Sequence, residues 1–560
     1  MPASSPRSDF SVVADRLAFS RGGQVILDGV NVAIGPRTRL GIVGPNGVGK
    51  STLLRILGGL QEPDRGQVTR APATLRVAYL DQERRRAHET VRAWFERRSG
   101  VAAAAATFDA ATEAVAARRP GADDAYAAAL DAYLDGGCAD FEARVATVVA
   151  DLGLAPGILD TSTDTLSGGE AARVALASLE LVRADVLLLD EPTNDLDFDG
   201  LDRLERYLAS LSGGVVVVSH DRAFLERTVT SVGELDEHTH RAQVYAGGWH
   251  AYLEARGTAR RHAEDDYATY RSERDRLGRR AQRQREWATQ GVTRARRDVD
   301  ERDKYRRHFR IASSERLAAK ARATERSLER LDAVDKPWEG WDLRFDVAPA
   351  ARSGAVVARL SDAVVDRGRF RLGPIDLEIA WAERLALVGA NGAGKTTLLH
   401  AVLGHVPLTT GERWMGPSVV VGELEQHRVA LLGASSVLGA IQAATGVTVT
   451  EARSQLAKFG LEADHVARPP MSLSPGERTR AALAEFALRG VNCLVLDEPS
   501  NHLDLPAIEE LEAALDRYEG TLILVTHDRA LLQSVRMTRV VRVEAGRIVA
   551  DETASEPRRP

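Results

Sequence analysis

The chain has 560 residues, with 74 Lys and Arg against 80 Asp and Glu, which gives a formal net charge of -6 at pH 7. That length predicts at least two folding units, and the near balance of charge excludes a protein that is basic throughout, so any nucleic-acid contact must be local. The 2 cysteines lack zinc-ligand spacing, and no stretch approaches the roughly 20 apolar residues of a membrane helix, which excludes a disulfide scaffold and a membrane-embedded transporter and favours a cytoplasmic protein.

A glycine-rich loop follows the apolar strand pattern at residues 40–43. It matches the G-x-x-x-x-G-K-[ST] pattern, in which glycines let backbone N–H groups surround phosphate oxygens. Lys50 would neutralise phosphate charge, Ser51 would ligate Mg²⁺, and the helix that begins near Thr52 would add a favourable dipole. The predicted phosphate-binding residues of this loop are Gly44, Pro45, Asn46, Gly47, Val48, Gly49, Lys50, Ser51 and Thr52.

Two adjacent acids end the apolar strand pattern at residues 187–189. Carboxylates are costly at the end of a buried strand unless they have a partner, and a bound cation supplies one. Asp190 suits the Mg²⁺ shell, and Glu191 suits a base that polarises the attacking water in phosphoryl transfer. Further on, His220 ends a Val-rich strand pattern, where a lone histidine would usually be structural.

The segment 256–336 is charged and strand-poor, with 24 Lys or Arg against 15 Asp or Glu. Its pattern predicts two long helices with a turn near Gln290–Gly291. Basic residues interleaved with aromatic ones suit a nucleic-acid backbone and stacked bases, although a solvated helix face is the alternative explanation. The candidates for RNA contact are Arg283, Arg285, Trp287, Arg294, Arg296, Arg297, Arg306 and Arg307.

The same motifs then recur in the same order, which is the strongest organisational feature of the chain. Asp497 and Glu498 end a second apolar strand pattern, and His527 ends the strand pattern after it, so duplication turns the two histidines into functional candidates. In each copy, apolar runs alternate with helical patterns, which predicts an α/β fold with buried parallel strands. The second loop contributes the predicted phosphate-binding residues Gly389, Ala390, Asn391, Gly392, Ala393, Gly394, Lys395, Thr396 and Thr397.

The sequence Leu-Ser-Gly-Gly-Glu at 166–170 resembles the signature motif of the ATP-binding-cassette superfamily. The resemblance implies two P-loop cassettes that bind ATP with Mg²⁺ and hydrolyse the ATP, with D-loops at 194–197 and 501–504. It implies that the ATP-binding set also includes Gln82, Ser167, Gly168, Gly169, Glu170, Gln426, Ser474, Gly476 and Glu477. The Mg²⁺ set it implies is Ser51, Gln82, Asp190, Thr396, Gln426 and Asp497, and the catalytic set is Glu191, Glu498, His220 and His527.

In that superfamily two cassettes enclose two ATP molecules head to tail, so each site pairs the P-loop of one copy with the signature of the other. Site one would then combine Lys50 with Ser474, and site two would combine Lys395 with Ser167. The second signature contains Pro475, which lacks a backbone donor, so slower hydrolysis is expected at site one. The residues expected to stack on adenine are replaced by Arg21 and Arg367, with Phe19 and Phe370 nearby.

The predicted domains are a first cassette at 1–250, a basic helical linker at 251–340 and a second cassette at 341–560. The first copy is longer between Gln82 and Ser167, where an Ala-rich pattern predicts a helical arm at about 92–138. Twin cassettes, an arm and a basic helical-hairpin linker together resemble the ABC-F family. That resemblance implies binding at the exit site of the 70S ribosome and contact with peptidyl-site transfer RNA, by a monomeric translation factor or a macrolide- or lincosamide-type resistance protein.

Two other functions share the cassette motifs. The chain could be the energising subunit of a membrane transporter, although such a subunit has no use for a basic helical hairpin. It could also be a DNA-associated ABC ATPase, although these carry much longer coiled coils or zinc modules. The sequence does not separate a general translation factor from a resistance protein.

Overall fold

The computed structural model describes residues 9–80, 88–194, 196–297, 354–368, 370–424, 433–501 and 503–553, and residues 312–313, 315–316, 319–320, 322–324 and 326. Backbone alone is described at 288 and 291–297. The chain divides into two compact units, one formed by Met1–Tyr252 with Leu343–Pro560 and the other by Leu253–Asp342. Both predicted cassettes therefore lie in one compact unit.

The first cassette is built on two sheets. Its strands are β1 (Ser11–Arg21), β2 (Gln24–Ile34), β3 (Arg39–Val43), β4 (Arg65–Ala71), β5 (Val77–Leu80), β6 (Val186–Asp190), β7 (Gly214–Val218), β8 (Ser231–Leu235) and β9 (Ala242–Ala246). Strands β2-β1-β4 form an antiparallel sheet, and β5-β6-β7-β3-β8-β9 form a sheet that is parallel up to β8. Every residue of β6 and β7 is buried, as expected for parallel strands covered on both faces.

The helices of the first cassette are α1 (Lys50–Leu57), α2 (Val91–Ser99), α3 (Val101–Ala116), α4 (Ala122–Asp135), α5 (Phe141–Asp151), α6 (Gly168–Leu181), α7 (Phe198–Ser210) and α8 (Arg222–Thr228). Three of them begin at predicted functional loops and have side-chain caps there. Ser167 caps α6, Asp197 caps α7 and Asp221 caps α8, each accepting a hydrogen bond from a backbone N–H in the first turn. The caps tie these loops to rigid helices.

The predicted arm, 92–138, contains two different parts. Helices α3 and α4 pack together through Phe108, whose ring centroid lies 5.4 Å from that of Tyr126 and 4.9 Å from that of Tyr133. By contrast, α2 buries Trp94 and Phe95 in the core of the cassette. The second cassette has no counterpart of the α3–α4 pair among its described helices, so this pair is the addition to the first copy.

The linker helix α9 runs from Gly248 to Arg297, and most of it lies in the second unit. The turn predicted near Gln290–Gly291 is therefore wrong: the helix continues through both residues, because a helical glycine costs only about 1 kcal/mol relative to alanine. Leu277 and Ala281 are buried on one face, and Thr324 Oγ1 donates a hydrogen bond to Gln284 Oε1 over 3.0 Å. This bond joins α9 to a second helical segment.

The second cassette repeats the first. Its strands are β10 (Val356–Arg367), β11 (Phe370–Ala380), β12 (Arg384–Val388), β13 (Thr410–Met415), β14 (Val421–Glu423), β15 (Cys493–Asp497), β16 (Thr521–Val525), β17 (Arg539–Glu544) and β18 (Arg547–Thr553). They form sheets in the orders β11-β10-β13 and β14-β15-β16-β12-β17-β18. Its helices are α10 (Lys395–Leu403), α11 (Val437–Thr445), α12 (Val449–Lys458), α13 (Ala463–Ala467), α14 (Pro475–Arg489), α15 (Leu505–Arg517) and α16 (Arg529–Ser534). The α/β fold class predicted from the sequence is confirmed.

Candidate nucleotide sites

The first P-loop lies between β3 and α1 and depends on its glycines. Gly44, Gly47 and Gly49 all have positive φ angles, 147°, 84° and 112°, which favour glycine. A Cβ atom on Gly49 would also lie 2.7 Å from a methyl of Ile26, whereas one on Gly47 would meet no atom within 4 Å. The loop is thus packed on one side and open on the other, which is where phosphate would bind.

Each P-loop lysine is held inside its own loop. Lys50 Nζ donates hydrogen bonds to Gly44 O over 2.8 Å and Pro45 O over 3.0 Å. Lys395 Nζ makes the same bonds to Gly389 O and Ala390 O, at 2.7 and 3.0 Å. Burial lowers the pKa of both lysines, and the neighbouring carboxylates partly oppose this effect. An anion in the loop would be a stronger partner than these carbonyl groups.

The acids at the ends of β6 and β15 lie beside hydroxyl groups. Asp190 Oδ2 accepts a hydrogen bond from Tyr79 over 3.0 Å, and Asp190 Oδ1 is buried without a partner among the described residues. In the second copy, Thr396 Oγ1 donates to Asp497 Oδ2 over 3.0 Å. Mg²⁺ prefers such oxygen donors and is usually held by one or two carboxylates together with phosphate. These residues therefore fit a magnesium ion bound with a nucleotide.

Glu191 and Glu498 have left-handed backbone conformations, with φ angles of 49° and 47°. Such strain in a non-glycine residue persists only where the surrounding structure imposes it, and it is common at functional sites. Burial raises the pKa of both carboxyl groups, and the nearby P-loop lysine opposes the rise in each case. The two glutamates therefore hold protons more readily than ordinary carboxylates.

Each predicted switch histidine lies beside the glutamate of its own copy. His220 Nε2 is 3.1 Å from Glu191 Oε1, and His527 Nε2 is 3.4 Å from Glu498 Oε1. Burial, together with the charge of the P-loop lysine, lowers the pKa of His220 to about 3 and of His527 to about 4. Both imidazoles are neutral at pH 7, so each can accept as well as donate a hydrogen bond.

The D-loops connect the two cassettes. Asp504, the cap of α15, accepts a hydrogen bond from Asn46 N over 3.0 Å. Asp197, the cap of α7, accepts one from Asn391 N over 2.9 Å. Each aspartate thus bridges from its own helix to the P-loop of the other cassette. The head-to-tail pairing that the resemblance implied has this reciprocal geometry.

Two related ion pairs lie beside these bridges. Arg222, two residues after His220, pairs with Glu512 of the second cassette. Arg529, two residues after His527, pairs with Glu205 over 3.0 Å and with Asp202 over 2.7 Å in the first cassette. Neither arginine was predicted as a functional residue, although their equal distance from the two histidines was a signal in the duplicated sequence.

The signature motifs are placed differently at the two sites. A Cβ atom on Gly169 would lie 2.9 Å from Asn391 O, so the first signature contacts the second P-loop. A Cβ atom on Gly476 would lie 2.9 Å from Ala507, a residue of the same cassette, and no atom of the first P-loop lies within 4 Å of it. A cavity of about 430 Å³ next to the closer pair is lined by residues of both cassettes, among them Gly168, His220, Gly392 and Glu498.

The remaining predicted residues are only partly covered by the described part of the chain. Gln82, Gln426, Arg306 and Arg307 are outside the described residues, as are Asp195 and His502 of the D-loops. The side chains of Arg294, Arg296 and Arg297 are not described, whereas Arg283, Arg285 and Trp287 lie on α9 with exposed side chains. Phe370 packs against the second P-loop, because a Cβ atom on Gly394 would lie 2.6 Å from its ring.

Comparison with known proteins identifies the family. The family model described as ABC transporter matches residues 27–194 and 372–501. The tylosin resistance ATP-binding protein TlrC of Streptomyces fradiae is 35% identical over 91% of this chain and 93% of its own length. ABC transporter F family member 5 of Arabidopsis thaliana is 29% identical over 96% of this chain and 75% of its own length. The chain belongs to the ABC-F family.

This ABC-F protein is an ATPase, as the two matched cassettes and the relatives show. The putative ATP-binding protein YdiF of Bacillus subtilis is also similar, at 32% identity over 95% of this chain and 80% of its own length. Among solved structures, an archaeal ribosome recycling factor in complex with a ribosomal stalk protein matches with a TM-score of 0.58 at 21% identity, over 96% of this chain and 90% of that one. At that identity the match shows the fold alone. Among the described helices none is both long and apolar enough to cross a membrane.

Proposed function

We propose that this ABC-F protein is a cytoplasmic, ribosome-binding ATPase that acts at the exit site and on peptidyl-site transfer RNA, as a translation factor or as a macrolide- or lincosamide-type resistance protein. The observation that carries the proposal is that one chain combines two nucleotide sites sharing a hydrogen-bonded interface with a separate arginine-rich helical unit. The tylosin resistance relative, which spans nearly the whole chain, supports the resistance alternative.

The nucleotide sites supply the switch in this proposal. Each P-loop binds the phosphates of ATP, and bound Mg²⁺ neutralises charge on them. Asp197 and Asp504 join each P-loop to the opposite cassette, so a nucleotide that orders a P-loop also stabilises the closed interface. Glu191 and Glu498 receive a proton from the attacking water, and His220 and His527 hold the neighbouring γ-phosphate as neutral imidazoles. Hydrolysis removes the contact that favours closure.

The linker helix supplies the contact with RNA. Arg283, Arg285 and Trp287 are exposed in the C-terminal third of α9. Guanidinium groups pair with phosphates, and an exposed indole ring stacks on an unpaired base. Trp287 is 59% exposed, which is large for a tryptophan and is typical of a residue that contacts a partner. This part of α9 is therefore suited to single-stranded or bulged RNA.

Co-sedimentation with 70S ribosomes tests the switch. The double variant Glu191→Gln/Glu498→Gln should bind ATP without hydrolysing it, so we expect it to pellet with ribosomes in ATP and to remain in the supernatant in ADP. The matched control, Lys50→Ala/Lys395→Ala, removes phosphate binding and should stay in the supernatant in both nucleotides. Association that is the same in ATP, in ADP and without nucleotide would contradict the switch.

A charge-matched pair of variants tests the linker. Arg283→Gln/Arg285→Gln removes two positive charges near the expected RNA contact, whereas Arg260→Gln/Arg261→Gln removes two from the same helix more than 20 residues earlier, roughly 30 Å away along the axis. We expect chemical footprinting of transfer RNA on the ATP-bound complex to weaken only with the first pair. Retention in detergent-solubilised membranes, or ATP turnover stimulated by duplex DNA, would instead favour the transporter subunit or the DNA-associated ATPase.

A further inference from the structure

Phe198 is the first residue of α7 in the first cassette, but its ring lies against the switch histidine of the second cassette. The ring centroids of Phe198 and His527 are 5.3 Å apart with an interplanar angle of 70°. This edge-to-face geometry is a preferred arrangement of aromatic rings. One cassette therefore contributes a side chain to the catalytic surroundings of the other.

Arg529 fixes Phe198 in this place. Its guanidinium carbon lies 5.6 Å from the centroid of the Phe198 ring, and its Nη2 donates a hydrogen bond to the carbonyl oxygen of Phe198 over 3.3 Å. The same side chain pairs with Glu205, about two turns further along α7. The start of α7 is thus held against the second cassette from the side that faces His527.

The orientation of the His527 imidazole determines which groups its Nε2 atom contacts. Its Nε2 is 2.9 Å from Lys395 Nζ and 3.4 Å from Glu498 Oε1, and the residue is 8% exposed. Rotation of the imidazole about its χ angles would move Nε2 away from both partners. The Phe198 ring packs against the imidazole at a centroid distance of 5.3 Å, so rotation of the imidazole would have to break this contact.

Among the described residues, site one has no aromatic ring in the equivalent position. The residue that begins α15, in the position equivalent to Phe198, is Leu505, which is buried at 4% exposure but has no ring. Its partner histidine, His220, lies 3.1 Å from Glu191. No hydrogen bond between His220 and Lys50 is present among the described residues, in contrast to the Lys395–His527 bond. The duplicated sites therefore differ in how their histidines are held.

We propose that Phe198 is a positioning residue for ATP hydrolysis at site two: when the cassettes close, the first cassette supplies the ring that orients His527 toward Lys395 and Glu498. The inference rests on the roles proposed above for His527 and Glu498. It makes hydrolysis at site two sensitive to closure through a ring contact, whereas the described residues of site one have the aliphatic Leu505 in the equivalent position.

The test measures ATP hydrolysis by the full-length protein in two backgrounds. In Glu191→Gln turnover comes from site two, and in Glu498→Gln it comes from site one. Phe198→Leu installs the residue type present at the equivalent position. In the Glu191→Gln background we expect kcat to fall about twofold to twelvefold, with KM for ATP changed by less than about twofold. In the Glu498→Gln background kcat should not change.

Phe198→Tyr keeps the ring and should retain the kcat of its parent, and thermal unfolding checks that each variant is folded. If Phe198→Leu does not fold, Phe198→Met takes its place. An equal loss of kcat in both backgrounds would assign Phe198 to interface packing and overturn the inference, as would no loss in either.

If a single glutamate substitution stops all turnover, the imidazole NMR signal of His527 tests the positioning role of Phe198 instead. That signal, assigned by its disappearance in His527→Ala, should move in Phe198→Leu and stay in place in Leu505→Ile. An unmoved signal in Phe198→Leu would overturn the inference alone. Full turnover in His527→Ala, or in the double glutamate variant, would overturn the roles proposed above and the inference with them.

Discussion

The two nucleotide sites have the same motifs, but the opposite cassette completes them to different degrees. At site two, Gly169 contacts Asn391, Lys395 is bonded to His527, and Phe198 covers the histidine ring. At site one, Gly476 lies against Ala507 of its own cassette. The duplicated motifs thus determine the local backbone conformation of each site, whereas the opposite cassette determines which further contacts the site receives. If this difference also separates the two sites in function, matched variants of the two cassettes should have unequal effects.

The largest expected difference is between the two glutamates. Because site two is more completely assembled, Glu498→Gln should remove most steady-state ATP turnover, about tenfold or more, whereas Glu191→Gln should leave more than about half of it. The measurement is phosphate release at saturating ATP and Mg²⁺. Equal losses in the two variants would mean that the structural asymmetry has no catalytic counterpart.

The second difference concerns the interface arginines. Arg529 pairs with Asp202 and Glu205 and also bonds to Phe198, whereas Arg222 pairs with Glu512. Hydrogen bonds between charged groups contribute about 1.5–3 kcal/mol each, so Arg529→Ala should lower the free energy of unfolding by about 2 kcal/mol more than Arg222→Ala. Urea titration of the two variants with ATP bound would measure this. A larger loss for Arg222→Ala would reverse the ranking of the contacts.

The third difference concerns Pro475, which occupies the first turn of α14 and has no N–H to offer a phosphate. Pro475→Gly in the Glu498→Gln background should raise kcat/KM for ATP at site one by about tenfold, because it restores one donor to a charged ligand. The reciprocal change, Gly168→Pro in the Glu191→Gln background, should lower the same quantity at site two. No response to either change would show that this donor does not contact the nucleotide.

The smallest expected effect concerns Mg²⁺ binding at site one, where Tyr79 lies beside Asp190. Tyr79→Phe removes the hydroxyl group that bonds to Asp190 but keeps the ring. Since one neutral donor is lost, the Mg²⁺ concentration for half-maximal turnover should rise about threefold in the Glu498→Gln background. This Mg²⁺ concentration should not change in the Glu191→Gln background, where turnover comes from site two and the proposed Mg²⁺ ligand is Asp497. An equal rise in both would indicate a general effect on folding.

Much of the fold was predictable because its signals are local. The P-loops, the acidic pairs and the strand patterns each lie within about ten consecutive residues, and the twin α/β cassettes that they predicted are confirmed. The ABC-F family, predicted from the twin cassettes together with the arm and the basic linker, is confirmed as well. The roles assigned to individual site residues stay predictions. The helix through Gln290–Gly291 was missed because a weak local pattern was interpreted as a turn, although helical context on both sides overrides one glycine.

The contacts between the cassettes could not be predicted in the same way. Phe198 follows the first D-loop as one apolar residue at the start of a helix, as Leu505 does in the second copy. Nothing in the sequence indicates that only Phe198 contacts a histidine. Its place against His527 depends on how two surfaces more than 300 residues apart in sequence meet. The bridges from Asp197 and Asp504 arise in the same way, since each side chain caps its own helix and contacts the other copy as well.

The presence of both cassettes in one compact unit has a consequence for how the protein responds to its own abundance. Where two cassettes are separate chains, closure is a second-order encounter that dilution weakens. Here each cassette has its partner at a fixed effective concentration set by the connecting chain. If the proposed switch operates, the closed fraction would therefore follow the ratio of ATP to ADP and would be the same whether a cell contains few copies of the protein or many.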